Sequence, residues 1–79
     1  MKIIGISDNL ELAVGLKFAG IECEVLENGD ILEKVKAKSN NKDVGIIVIT
    51  ENLYKKSEED LNKFKKNNKL PLILKLTNK

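Results

Sequence analysis

Histidine, tryptophan and arginine do not occur in this sequence, and cysteine, methionine, tyrosine and proline occur once each. With no His and a single thiol at Cys23, no zinc cluster can be assembled and no internal disulfide can form. A lone Cys fits a reducing, cytoplasmic setting. Lack of Arg removes the side chain that most often reads guanine edges and clamps phosphates. Aromatic residues are limited to Phe18, Tyr54 and Phe64, too scattered for a base-stacking platform. Long apolar runs are missing as well. Val44–Ile49 and Leu70–Leu74 fall far short of the ~20 residues that span a bilayer, and Met1-Lys2-Ile3-Ile4 is too short for a signal peptide. The chain therefore reads as cytoplasmic, without a nucleic-acid ligand, reaching a membrane only through a partner.

What remains is 79 residues in which 14 lysines face 12 acidic side chains, for a formal charge of +2. That balance is too near neutral to imply a polyanionic ligand. The length suits one domain, residues 1–79, whose core supplies only ~3–5 kcal/mol of net stability without a staple.

Residues 2–7 form a nearly continuous apolar run, as in a strand covered on both faces. Asp8 or Asn9 can cap a helix to about Ala19, and Gly20 can end it in the left-handed conformation. Residues 22–26 alternate polar and apolar, which suits an edge strand. Asn28-Gly29-Asp30 reads as a turn into a second helix ending near Ser39, with Ile31, Leu32 and Val35 on one stripe. After the polar tract 39–43, Val44-Gly45-Ile46-Ile47-Val48-Ile49 reads as a buried central strand. Thr50 then caps a third helix whose inner face carries Leu53, Tyr54, Leu61 and Phe64, with a break or second cap available at Ser57 and Asp60. Lys55, Lys56, Glu59, Lys63 and Lys66 cover its outer face as a solvated surface. Leu70–Leu76 reads as the last strand, with Pro71 tolerable only at its start or on an edge. The order β-α-β-α-β-α-β predicts an α/β fold. It is a small four-stranded parallel sheet in the order 2-1-3-4, flavodoxin- or Rossmann-like, with helices on both faces.

In such a sheet a ligand binds beyond the carboxyl ends of the strands, where the order reverses. That crevice falls between Ser7-Asp8-Asn9 and Thr50-Glu51-Asn52. One reading makes Asp8 or Glu51 a ligand-binding or phosphoacceptor group; the other makes both segments helix caps. A receiver domain would need an acidic pair after the first strand, an Asp closing the third and a Lys closing a fifth. None of these is present. Gly5 lies inside a strand and Gly15 inside a helix, so no glycine-rich loop cradles phosphate. Cys23, mid-strand, reads as a packing residue.

The first helix has two apolar arcs, Leu10, Val14 and Phe18 on one and Leu12, Leu16 and Ala19 on the other. Burying both requires a sheet on one side and a second body on the other, either a neighbouring helix or a partner. The last strand has Leu72, Leu74 and Leu76 on one face and Ile73 on the other, with only Lys75 and Pro71 to protect its edge. The candidate partner-binding residues are therefore Leu12, Leu16, Phe18, Ile73, Leu74 and Leu76. A homodimer sealing that edge is a further reading.

Three segments together resemble the F subunits of the vacuolar and archaeal-type (V/A) rotary ATPases. Ile4-Gly5-Ile6-Ser7-Asp8 with Val14-Gly15-Leu16-Lys17-Phe18-Ala19-Gly20-Ile21 is similar to the family's opening strand and helix end. Asp43-Val44-Gly45-Ile46-Ile47-Val48-Ile49-Thr50-Glu51 is similar to its Gly-led strand closing in Thr-Glu, and Leu70-Pro71-Leu72-Ile73-Leu74 to its proline-marked last strand. The resemblance implies a non-catalytic rotor component without cofactor, peripheral to the membrane as part of the complex. It would be held on the central stalk by the coiled-coil axle (the rotary ATPase's D subunit) and contact other V/A-ATPase subunits. Two departures accompany the likeness. The chain ends at Leu76-Thr77-Asn78-Lys79, where family members usually continue into a C-terminal helical tail, and Ser7 stands where Gly is commoner.

Overall fold

The apolar run at the start of the chain pairs on both sides, and everything else is arranged around it. The computed structural model describes residues 1–26 and 30–77. The Asn28-Gly29 part of the expected turn lies outside the described residues. Strand β1 (Lys2–Ser7) is followed by helix α1 (Leu10–Phe18), β2 (Glu22–Val25), α2 (Ile31–Ser39) and β3 (Val44–Thr50). Helices α3 (Glu51–Lys56) and α4 (Glu58–Asn67) then lead to β4 (Leu72–Leu76). All strand pairs are parallel and the order is β2-β1-β3-β4, as the alternation of elements predicts. Pro71 stands one residue before β4, where its missing N–H removes no ladder bond. Lys2 pairs with Val44 and Ile3 with Ile46, so Gly45 is left over as a bulge.

Local chemistry accounts for the helix ends. Asn9, not Asp8, caps α1: its Oδ1 accepts the Leu12 N–H at 3.2 Å. The helix stops at Gly20, whose φ of 85° only glycine adopts without strain. The Ile21 N–H then returns to the Leu16 carbonyl at 2.9 Å. Asp30 caps α2 through the Leu32 N–H at 3.0 Å. The third helical segment is two helices, divided at Ser57. Glu58, Glu59 and Asp60 crowd the residues after the break, where carboxylates favour a new helix N-terminus.

Right-handed crossovers fix which face each helix covers. The step from β1 to β2 runs in one direction across the sheet, and those from β2 to β3 and β3 to β4 run in the other. So α1 lies alone on one face while α2, α3 and α4 share the opposite one. The shared side holds the core, where Ile4, Ile6, Ile47, Ile49 and Ile73 meet Ile31 and Val35 of α2, Leu53 and Tyr54 of α3, and Leu61 of α4. The Tyr54 hydroxyl donates to Asn62 Oδ1 at 2.7 Å, and Lys75 Nζ stands 5.1 Å from its ring centre, tying α3 to α4 and β4. At the other edge Glu24 of β2 accepts from Lys34 at 2.8 Å and Lys38 at 3.2 Å, which clips α2 to the sheet. The Lys34 hydrogen bond, followed by that of Lys38, holds the Glu24 carboxyl below its ordinary pKa.

Helix α1 closes on its own face through Gly5. A Cβ there would stand 2.9 Å from Leu16 Cδ1 and 3.1 Å from Cys23 Sγ. Gly15 is the opposite case, with nothing within 4 Å of an added Cβ. We expect Gly5→Ala to destabilise the isolated chain by ~1–3 kcal/mol through overpacking. Gly15→Ala, at a helical position in open space, should stabilise it by ~0.5–1 kcal/mol. Urea denaturation of both variants checks the opposite signs. A pH series provides a second test. Because the folded pKa of Glu24 lies below the unfolded one, its contribution is complete above the ordinary carboxylate pKa and is lost as pH falls through the folded value. Melting temperatures taken from ~pH 7 to ~pH 3 should therefore fall slightly less steeply for Glu24→Gln than for the wild type.

Candidate functional site

The switch-point crevice is built from the last residues of β1 and β3 and the turns that follow. The Ser7 hydroxyl, fully buried, donates to the Asn9 carbonyl at 2.8 Å and accepts the Asn9 N–H at 2.9 Å. The Thr50 hydroxyl donates to Asp8 Oδ1 at 2.9 Å and accepts the Asp8 N–H at 3.3 Å. Thr50 thus occupies the cap position before α3 but makes no side-chain bond to that helix. Its hydroxyl is buried and meets Asp8 before it could meet a helix N–H. The expectation that Asp8 and Thr50 act as helix caps is corrected on this point: together they tie the first loop to the third strand. Glu51 turns along its own helix to Lys55 at 3.2 Å.

Between these groups lies a cavity of ≈ 220 Å³ lined by Asp8, Asn9, Leu12, Thr50, Glu51 and Asn52. Small-molecule pockets usually hold ~300–1,000 Å³. An Asp8 acting as phosphoacceptor would first have to leave Thr50. Among the described residues no three carboxylate or thiol side chains converge as a metal cage would need. Cys23 is half-buried against Gly5, and that burial pushes its thiol up despite the nearby Lys17 ammonium, so little of it is thiolate near neutral pH.

The apolar surface is more distinctive than the crevice. On α1 only Ala13 is buried, and Leu12 and Leu16 are half-buried against the sheet. Leu10, Val14 and Phe18 form the second arc, and Phe18 is 88 % exposed. On β4, Leu72 and Leu74 are about half exposed and Leu76 is half-buried. Ile73 needs a correction. It points to the helix-covered face at 4 % exposure and belongs to the core, not to a contact surface. The structure also adds two residues that a both-faces-buried reading of β3 passed over. Ile46 and Val48, half-buried, lie on the α1 face beside Leu72 and Leu74. The signal was available, since the crossover rule leaves α1 alone on that face.

These features define a small doubly wound α/β domain with the two turns at its switch point tied together and its apolar groups on an open sheet half and an outward helix arc. The model of the family described as ATP synthase (F/14-kDa) subunit matches residues 3–79. The chain belongs to this family, the F subunits of V/A-type rotary ATP synthases. No curated protein and no solved structure gives a significant match to it. Among the described residues no helix is long and apolar enough to cross a membrane.

The Asp8–Thr50 tie yields a quantitative expectation. Thr50→Val removes a donor from Asp8 Oδ1 and an acceptor from the Asp8 N–H in a partly buried site. Stability should fall by about 1–2 kcal/mol, measured by chemical denaturation. Thr50→Ser, which keeps the hydroxyl, should recover most of the loss.

Proposed function

We propose that the protein is a non-catalytic rotor component, held on the central stalk by the coiled-coil axle, the D subunit, and contributing to the coupling of ATP hydrolysis or synthesis to ion transport. In this reading it works on the cytoplasmic side and meets the membrane only through the complex. The observation that carries it is the uncovered apolar surface on Leu10, Val14 and Phe18 of α1 and on Leu72 and Leu74 of β4. A parallel sheet ordinarily has both faces covered, and a domain that leaves half of one open calls for a second body there. The tied crevice favours the same reading, because Asp8 and Glu51 already have partners within the chain. Such a component acts mechanically: a firmly packed block clamped to the axle resists torque and changes how readily the rotor turns.

Co-expression with the axle protein from the same source, followed by size exclusion and light scattering, tests the reading. The expected result is a one-to-one heterodimer that persists at micromolar concentration. Separate elution of the two chains would remove the rotor assignment.

A further inference from the structure

We infer that the open half of the α1 face, over β3 and β4, is the seat of a single partner helix lying beside α1, with its apolar stripe against Ile46, Val48, Leu72 and Leu74. This deepens the rotor reading and rests on it.

The seat follows from what the sheet presents there. Side chains alternate along a strand, so this face carries Ile3, Gly5 and Ser7 from β1, Ile46, Val48 and Thr50 from β3, and Leu72, Leu74 and Leu76 from β4. None of these is charged, although a third of the chain's residues are. Helix α1 packs chiefly on β1 and β2, which leaves Ile46 and Val48 of β3 half-buried and Leu72 and Leu74 of β4 about half exposed. Two strands spaced ~4.8 Å apart give a strip ~10 Å wide, the width of one helix. A strand from another chain would engage the β4 edge but leave this strip open. A helix covers it and completes the missing layer.

The wall of the seat also suits a helix. Leu12 faces the β3 side, sharing the crevice with Thr50 and Glu51, while Lys17 faces β2 beside Cys23 and Glu22. At 100° per residue, Gly15 and exposed Ala19 fall on the Leu12 side, above the open strip. An added Cβ at Gly15 would touch nothing. With Leu12 at the crevice end, the small residues Gly15 and Ala19 along the rest of the wall let a neighbouring helix axis come within the ~8–10 Å of ordinary helix packing.

The rim charges favour one direction. Asp8, bonded to the neutral Thr50 hydroxyl and so still a net negative charge, stands at the carboxyl end of the strip with the Glu51–Lys55 ion pair, whereas Lys42 and Lys69, against Asp43, stand at the amino end. A helix antiparallel to the strands, like α1, brings its positive N-terminus to the carboxylates and its negative C-terminus to the lysines. The occupant is therefore a helix with an uncharged, aliphatic stripe, such as one arm of a coiled coil.

The test uses the full chain with the coiled-coil axle protein as probe and three variants. Leu74→Lys places a charge on the strip, at an edge position where Lys is tolerated. Gly15→Trp fills the wall from an open helical site, and Lys63→Glu alters the opposite face of the domain. We expect the first two to weaken binding at least ~10-fold by titration calorimetry, about 1.4 kcal/mol. Lys63→Glu should bind as the wild type does, and the free variants should stay folded by circular dichroism. Wild-type binding with unchanged affinity in both strip variants would overturn the seat and leave the rotor reading standing. Failure of the wild type to bind the axle would overturn both. A free chain that is dimeric, and becomes monomeric on Leu74→Lys, would make a second copy the occupant and overturn the inference.

Discussion

The handedness of the strand crossovers governs this molecule more than any single contact. Once β1 and β3 are central, right-handed connections place α1 by itself on one face and three helices on the other. The core can then develop fully only on the second face, where Ile6, Ile47, Ile49, Val35 and Leu61 are all but inaccessible. On the first face Gly5 allows α1 to close on β1 and β2, and the same short helix cannot reach β4. The open strip is thus a consequence of topology and not of a local defect in packing.

The Asp8–Thr50 pair carries that constraint to the site where other folds of this kind bind ligands. Each strand of a doubly wound sheet ends in a turn, and at the switch point two such turns diverge and leave a crevice. Here the hydroxyl at the end of β3 meets both the carboxylate and the N–H of Asp8, so the crevice holds its own hydrogen-bond partners. Ser7 does the same one residue earlier with both polar groups of the Asn9 backbone. These bonds stiffen the carboxyl edge of the sheet.

Much of the fold was legible in the sequence because its signals were redundant. Apolar runs gave the two central strands, the Asp8-Asn9 pair and the turn ending at Asp30 the helix starts, and Gly20 a helix end. The division of the third helix at Ser57 was legible only as an option, since a capping residue with acids behind it can either start a new helix or stand exposed within one. Asp8 and Thr50 were misjudged for a physical reason. Each has the side chain of a cap, and only the spatial neighbourhood of two strand ends, 42 residues apart in sequence, diverts them to each other. Ile73 was named as a contact and proved to be core because a terminal strand still has one face on the helices. Ile46 and Val48 were missed for the converse reason: a continuous apolar run looks the same whether both faces are covered by the chain itself or one awaits another chain.

That last ambiguity bears on how the domain functions. A domain of this size has a thin stability margin, of order ~3–5 kcal/mol without disulfide or metal. Leaving four aliphatic side chains half-covered forgoes part of the apolar burial, ~25 cal/mol for each Å², that would widen it. Anything that binds the folded state and not the unfolded one widens that margin, because association adds to folding stability by mass action. A component that lives within a larger machine meets that condition. In the proposed assembly the exposed strip is an unfinished layer of the core, and binding of a partner helix there adds to folding stability through the same equilibrium.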